Sequence, residues 1–253
     1  MAVKLRYGVI GNFNFLLASK TKQIKRTAGR TEVPAKCTMR HSKPPGKLAM
    51  LIVLPLLLLC YGVGNVHCAT VHENSQDFHS LLDFKKGITN DPNEVLNNWT
   101  NNTHFCRWNG VNCTLTPPYR VTELILRGHN LAGQISPSLG NLTFLNVLDL
   151  STNNFRGVIP DALTNCSNLA ELGLYANNLT GVIPPSIGLL TKLEQLLFEN
   201  NLYGVIPPGL GNITDLSIID LAENQLNGPI PSDFWQMPKI AQLYLGNNNL
   251  SVP

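Results

Sequence analysis

LNVLDLSTNNFRGVIPDALTNCSN (145–168), LAELGLYANNLTGVIPPSIGLLTK (169–192), LEQLLFENNLYGVIPPGLGNITD (193–215) and LSIIDLAENQLNGPIPSDFWQMPK (216–239) are four versions of one unit laid end to end. A looser version, VTELILRGHNLAGQISPSLGNLTF (121–144), precedes them, and another starts at Ile240 and runs to Pro253. In each unit the leading apolar residues bracket a short strand, whose alternate side chains point inward while the rest face solvent. The asparagine that follows (Asn153, Asn177, Asn200, Asn224, Asn248) falls in the turn after the strand. An amide there both donates and accepts, so it satisfies backbone groups that a buried turn leaves unpaired. Gly157, Gly181, Gly204 and Gly228 allow the next bend, and Pro160, Pro184, Pro207 and Pro231 fix extended backbone where no amide donor is needed. No unit covers its own apolar face, so stacked units share one long core beneath a parallel sheet. The pattern predicts an α/β fold, a right-handed solenoid with short parallel strands on its concave face.

One unit is short. Phe155 to Leu179 and Leu202 to Leu226 are each 24 residues apart, but Leu179 to Leu202 is 23. Placing the loss within Leu196-Leu197-Phe198 sets Phe198 in an outward slot beside Tyr175 and predicts a disturbed strand register there. The outward slots then read Glu123, Ile125, Arg127; Val147, Asp149, Ser151; Glu171, Gly173, Tyr175; Gln195, Phe198, Glu199; Ile218, Asp220, Glu223; and Gln242, Tyr244. These slots vary from unit to unit while core and turn positions stay nearly constant. Tyr175, Phe198, Glu171, Gln195, Glu199, Glu223 and Tyr244 are therefore the candidate ligand-binding residues. Adjacent aromatics among acids suit a peptide carrying apolar and basic side chains.

Outward from the repeats, charge is uneven. Residues 1–47 hold eleven of the nineteen Lys and Arg with the single acid Glu32, whereas from Thr70 onward eight basic residues face fifteen acidic ones. An acidic body argues against a nucleic-acid partner. Residues 48–63, LAMLIVLPLLLLCYGV, are uncharged, follow Lys43 and Lys47, and precede small residues up to Ala69. That order is a secretory signal over 48–69, with 1–47 a basic leader outside the fold. The run is short for a membrane anchor and carries Pro55, so no span is expected in the mature chain.

Cysteine usage agrees with export. Cys106 and Cys113 close a small loop and are expected to form a disulfide, while Cys166 aligns with the inward positions Leu142, Leu190 and Ile213 as a buried thiol. The cysteines lack the partners a zinc site needs, so no metal is expected, and no cofactor motif is present. Asparagine-linked glycosylation signals stand at Asn98, Asn101, Asn112, Asn141, Asn165, Asn178, Asn212 and Asn249. Asn141, Asn165 and Asn212 share one slot of the repeat, and Asn178 and Asn249 another. With neither slot on the strands, sugars are expected along the sides and back, leaving the concave face bare.

The spacing LxxLxLxxNxLxGxIPxxLxxLxx resembles the plant-specific class of leucine-rich repeats, and G-x-I-P is its most selective step. Residues 70–120 resemble the cap that precedes such repeats in plant receptor-like kinases and receptor-like proteins. There DFHSLLDFKKGI (77–88) reads as an amphipathic helix offering Phe78, Leu81, Leu82 and Ile88 to the core. Asp91-Pro92-Asn93-Glu94 has the capping-box order and predicts a second short helix. Trp99 and the C-R-W-N-G-V-N-C run (106–113) supply the family's tryptophans and cysteines, and grass receptor kinases of the innate-immunity type look closest. His129 and Ser136 depart from the asparagine and proline of the pattern.

The resemblance implies an extracellular module that binds a peptide or protein ligand, and a co-receptor ectodomain, in defence or developmental signalling. On that reading the chain is not an enzyme, and it stops before the family's membrane span and kinase. No nucleophile elbow, zinc-protease signature, nucleotide loop or kinase motif occurs in it. The alternatives are a soluble secreted inhibitor of a cell-wall-degrading enzyme, which uses the same repeat type, and a gene fragment without function.

Overall fold

The computed structural model describes residues 75–251; the leader (1–47) and the signal segment (48–69) lie outside the described residues. The described chain opens with helix α1 (Ser75–Lys86) and strand β1 (Ile88–Asn90), then β2 (Val111–Cys113) and β3 (Val121–Ile125). Through the repeats follow β4 (Ala132–Gln134), β5 (Val147–Asp149), β6 (Asn154–Gly157), β7 (Glu171–Gly173) and β8 (Asn178–Leu179). The last six strands are β9 (Gln195–Leu197), β10 (Tyr203–Val205), β11 (Ile218–Asp220), β12 (Gln225–Pro229), β13 (Gln242–Tyr244) and β14 (Asn249–Ser251).

The main sheet has the order β13-β11-β9-β7-β5-β3-β2, parallel throughout except that β2 runs antiparallel to β3 at its edge. Two smaller sheets, β1-β4-β6-β8 and β10-β12-β14, form the adjoining wall. Each repeat also contributes a 3-10 segment, from Pro137–Asn141 through Ser232–Gln236. This is the expected solenoid.

Its core is a stack. Leu124, Leu148, Leu172, Leu196 and Ile219 are fully buried in one row, and Leu126, Leu150, Leu174, Phe198 and Leu221 in the next. Each such side chain, shared between neighbouring units, stabilises the fold by about 1.5–3 kcal/mol. Asn153, Asn177, Asn200, Asn224 and Asn248 form the expected ladder. The amide of Asn177 donates to Leu150 O (3.0 Å) and Leu174 O (3.0 Å) and accepts from Phe155 N (2.9 Å), tying its own turn to the unit before it. Gly181, at φ +88°, shows why the bend calls for glycine: a Cβ there would also stand 2.9 Å from Val158 Cγ1.

Phe198 corrects the sequence reading. Its side chain is 0% exposed, and its amide donates to Asp220 O (2.7 Å), just as Leu174 N donates to Leu197 O and Leu150 N to Gly173 O. Phe198 therefore occupies the inward row, and the outward slot belongs to Leu197, paired with Gly173 and Asp220 in an unbroken ladder. The missing residue lies in the turn. Thr152, Ala176 and Glu223 each adopt positive φ (56°, 53° and 53°) between strand and asparagine, and the short unit passes from Phe198 through Glu199 to Asn200 without a counterpart. No register shift occurs at Phe198.

The cap closes the amino-terminal end of the core. From α1, Phe78, Leu81 and the unforeseen Phe84 are buried and Leu82 partly so, as is Ile88 at the start of β1. The Phe84 ring lies 6.2 Å from Trp99 and 6.0 Å from Phe155, and Trp99 stacks on Trp108 at 5.2 Å. Asp77, fully buried, accepts from two guanidinium nitrogens of Arg120 (3.0 and 3.1 Å) and from Val121 N (2.8 Å), fastening α1 to β3. The second helix expected after Asp91 does not form. Asp91 does cap Val95 N (3.0 Å) and Leu96 N (2.9 Å), but Glu94 sits at φ +53°, which stops a helix, and its carboxylate accepts from Asn97 Nδ2 instead.

Candidate functional site

The main sheet presents two outward rows fixed by register. One runs Glu123, Val147, Glu171, Gln195, Ile218, Gln242, and the other Ile125, Asp149, Gly173, Leu197, Asp220, Tyr244. Two residues beyond the second row stand Arg127, Ser151, Tyr175 and Glu199. Of the sequence candidates, Glu171 and Gln195 pair in register, Tyr175 and Glu199 stand two residues past the ends of β7 and β9, and the 46%-exposed Tyr244 ends β13, two strands from β9 in the same sheet. Glu223 falls in the following turn, where it accepts from Asn247 Nδ2, and Phe198 is excluded by burial. Leu197 is the outward residue that the sequence reading missed. The signal for it was the number of residues between Phe198 and Asn200.

The face is acidic. Glu123, Asp149, Glu171, Glu199, Asp220 and the flanking Glu223 share it with one cation, Arg127. Burial raises the Glu171 carboxyl above its usual range, with Asp149 and Glu123 adding to the rise and Arg127 opposing it. Glu199 is raised by burial and then by Asp220 and Glu223. Asp220 is raised by burial too, held back by a hydrogen bond from Ala222 N. Anions crowded on a half-buried surface gain from an incoming cation, because it lowers their mutual repulsion. Tyr175 does not neighbour another exposed ring as expected. Arg127 lies over it instead, with Cζ 5.1 Å from the ring centre.

Cys106 and Cys113 are bonded, with their Cα atoms 5.6 Å apart. Cys166 is free and buried; its thiol donates to Leu139 O (3.4 Å), and burial pushes its pKa up to about 12. Among the described residues no group of His, Cys, Asp or Glu could hold a metal ion. No helix among them is long and apolar enough to cross a membrane.

The glycosylation signals separate into kinds. Asn141, Asn165 and Asn212 are exposed at the ends of 3-10 segments, and Asn101 is exposed in the cap. Contrary to the sequence expectation, the second slot does lie on strands: Asn178 in β8 and Asn249 in β14, both in the side wall and both exposed. Asn112 is on β2, at the edge of the main sheet, where its amide donates to Glu123 Oε2 (2.6 Å). Asn98 differs from all of these. Its amide nitrogen donates to Arg107 O (3.1 Å) and Asn109 Oδ1 (3.2 Å), and its oxygen accepts from Asn109 N (3.1 Å), clasping the disulfide loop.

Comparison with known proteins follows the same division. The pattern described as "Leucine rich repeat N-terminal domain" matches residues 74–114, and "Leucine Rich Repeat" matches 144–166, 168–190 and 215–237. The LRR receptor-like serine/threonine-protein kinase EFR of Arabidopsis thaliana is 44% identical over 81 residues, which are 32% of this chain and 8% of that protein. The chain thus spans under a tenth of that relative's length. The BIR2 ectodomain of Arabidopsis thaliana superposes with a TM-score of 0.63 at 32% identity, over 69% of this chain and 94% of that one. The Arabidopsis receptor kinase HAESA, solved in complex with the peptide hormone IDA and the co-receptor SERK1, gives a TM-score of 0.64 at 33% identity, over 70% and 30% of the two chains.

Proposed function

The chain belongs to the leucine-rich-repeat ectodomains of plant receptor kinases, and we propose that its concave face binds an extended peptide bearing basic and apolar side chains. The observation that carries this reading is the charge of the face, where six carboxylates stand against Arg127 beside the half-buried Tyr175 and exposed Tyr244. Such a surface attracts cationic ligands and orders them along the strands, while aromatic rings anchor apolar side chains. HAESA, a relative by structure, holds a peptide hormone together with a co-receptor. A co-receptor ectodomain is accordingly the proposed second partner, and the outer face of the plasma membrane or the extracellular space the proposed location. The role is recognition, in defence or developmental signalling, without a chemical step.

Two immobilised pools of unstructured peptides test the reading, one combining Lys or Arg with Leu and Phe, the other replacing the basic residues by Glu. The chain should be retained by the basic pool, in a salt-sensitive way, and lose that retention in Glu199→Lys/Asp220→Lys. Equal retention by both pools, or retention indifferent to the double substitution, would overturn it.

A further inference from the structure

Gly173 interrupts the second outward row. Its neighbours in register are Asp149 and Leu197, and every other position of that row carries a side chain. The backbone does not demand glycine here, because its φ lies outside the left-handed region. A side chain would be crowded, however: a Cβ would stand 3.0 Å from both Asp149 Oδ1 and Ser151 Oγ, and one of them would have to give way. The row therefore has a notch, bordered by two oxygens.

Ser151 lines that notch with an unusual property. Its side chain is 0% exposed, and its hydroxyl has no hydrogen-bond partner among the described residues. Buried hydroxyls are ordinarily paired, and an unpaired one calls for an explanation. Above it, Arg127 reaches across the Ser151 position to lie over the Tyr175 ring. Among the described residues the Arg127 side chain makes no hydrogen bond or ion pair, so its stacking on Tyr175 leaves its donors unused there. Asp149 Oδ1 accepts from Ser151 N (3.0 Å), its second oxygen has no donor among the described residues, and Glu171 stands in the adjacent row.

We propose that the Gly173 notch is a subsite for an arginine side chain of the bound peptide, and that Arg127 stands in for that side chain until the peptide arrives. This rests on the peptide-binding reading above and adds a position and a residue type to it. A ligand guanidinium would take Arg127's place over Tyr175 and lie across Gly173, where the row has no side chain to cover the two flanking oxygens. There it donates to the Ser151 hydroxyl and the Asp149 carboxylate, contacts that Arg127 does not make. A planar, multiply donating cation suits a ring on one side and two oxygens on the other better than an ammonium does. Burial and Asp149 raise the Glu171 carboxyl and Arg127 opposes the rise, so a ligand guanidinium in Arg127's place would ease the same carboxyl.

The test uses the full chain and acetyl-arginine methylamide as probe, with the isosteric, uncharged acetyl-citrulline methylamide as control. Binding is read from ¹³C signals of the tyrosine rings, with Tyr175 assigned through Tyr175→Phe. An internal occupant present about nine-tenths of the time lowers apparent affinity about tenfold, so Arg127→Ala should lower the half-saturating probe concentration about tenfold. Adding either Ser151→Ala or Gly173→Ala to that variant should reverse most of the gain, and the citrulline analogue should shift nothing. Half-saturation unchanged by Arg127→Ala, or a response surviving both added substitutions, would overturn the subsite. The two readings separate cleanly. Retention of basic peptides with an indifferent Tyr175 sinks the subsite alone, whereas saturable probe binding without peptide retention sinks the wider reading and leaves the notch a guanidinium site.

Discussion

Leu197 and Phe198 are adjacent apolar residues, and replacing each by alanine should separate the two possible registers of the short repeat. Phe198 is fully buried between Leu174 and Leu221 in the inner row, whereas Leu197 is half-buried on the concave face. A phenylalanine buries about 150–250 Å², which at about 25 cal/mol per Å² corresponds to roughly 4–6 kcal/mol as an upper bound. Large-to-small substitutions of buried aromatics cost about 3–5 kcal/mol, and in a stacked core the cavity is shared with both neighbours. Leu197→Ala removes a side chain that water already reaches, and should cost no more than about 1 kcal/mol. Urea unfolding followed by circular dichroism measures both. A sharper version is Leu197→Asp, which puts in the slot what Asp149 and Asp220 already place there and should leave the fold intact. Phe198→Asp should abolish folding. Equal losses for the two alanine variants, or a Phe198→Ala loss below about 1.5 kcal/mol, would refute the register and return Phe198 to the surface.

The carboxyls of Glu171, Glu199 and Asp220 bind protons more tightly in the folded chain than in the unfolded one. Their contribution to stability is therefore greatest below the unfolded carboxylate range, about pH 4, and declines as pH rises through the elevated folded values. Thermal melts across that interval should show Glu199→Gln/Asp220→Asn falling less steeply with pH than the parent, and a parallel fall would contradict the assignment. Retention of basic peptides should move the opposite way, weakening as acid neutralises the same groups. Glycopeptide mapping should find sugar at Asn141, Asn165, Asn178, Asn212 and Asn249 and none at Asn98, whose amide hydrogens are committed to Arg107 and Asn109; substantial occupancy at Asn98 would show that the clasp is dispensable. Native protein should resist thiol reagents at Cys166 and react only on unfolding, because the thiol is buried and held near pKa 12. Labelling at a rate independent of denaturant would place it elsewhere.

The solenoid was readable from spacing because its constraints repeat. A leucine, asparagine or glycine that fails once breaks contact with both neighbouring units, so the same residues recur where packing demands them, and the asparagine ladder of Asn153 to Asn248 follows from chemistry alone. The helix expected after Asp91 illustrates what spacing omits: the cap residues were right, but the left-handed backbone at Glu94 turned the chain before a helix could form. The outward face was legible by exclusion, as whatever the repeat did not fix, yet its pairwise contacts were not. Arg127 reaches Tyr175 across two strands, a distance in space that no single unit's sequence encodes. The error at Phe198 has a more general cause. Leu197 and Phe198 are both acceptable core residues, so hydrophobicity could not decide which one points inward. Removing a residue from the strand would have turned every later side chain to the opposite face and broken the ladder to Ile218–Asp220. Removing it from the turn deletes only a residue that the other units hold at positive φ, a conformation that costs non-glycine residues energy. The shorter repeat thus loses a strained residue and keeps its strand, and the same asymmetry should place single-residue losses in such repeats in the turn, wherever the asparagine follows the last inward residue by two instead of three.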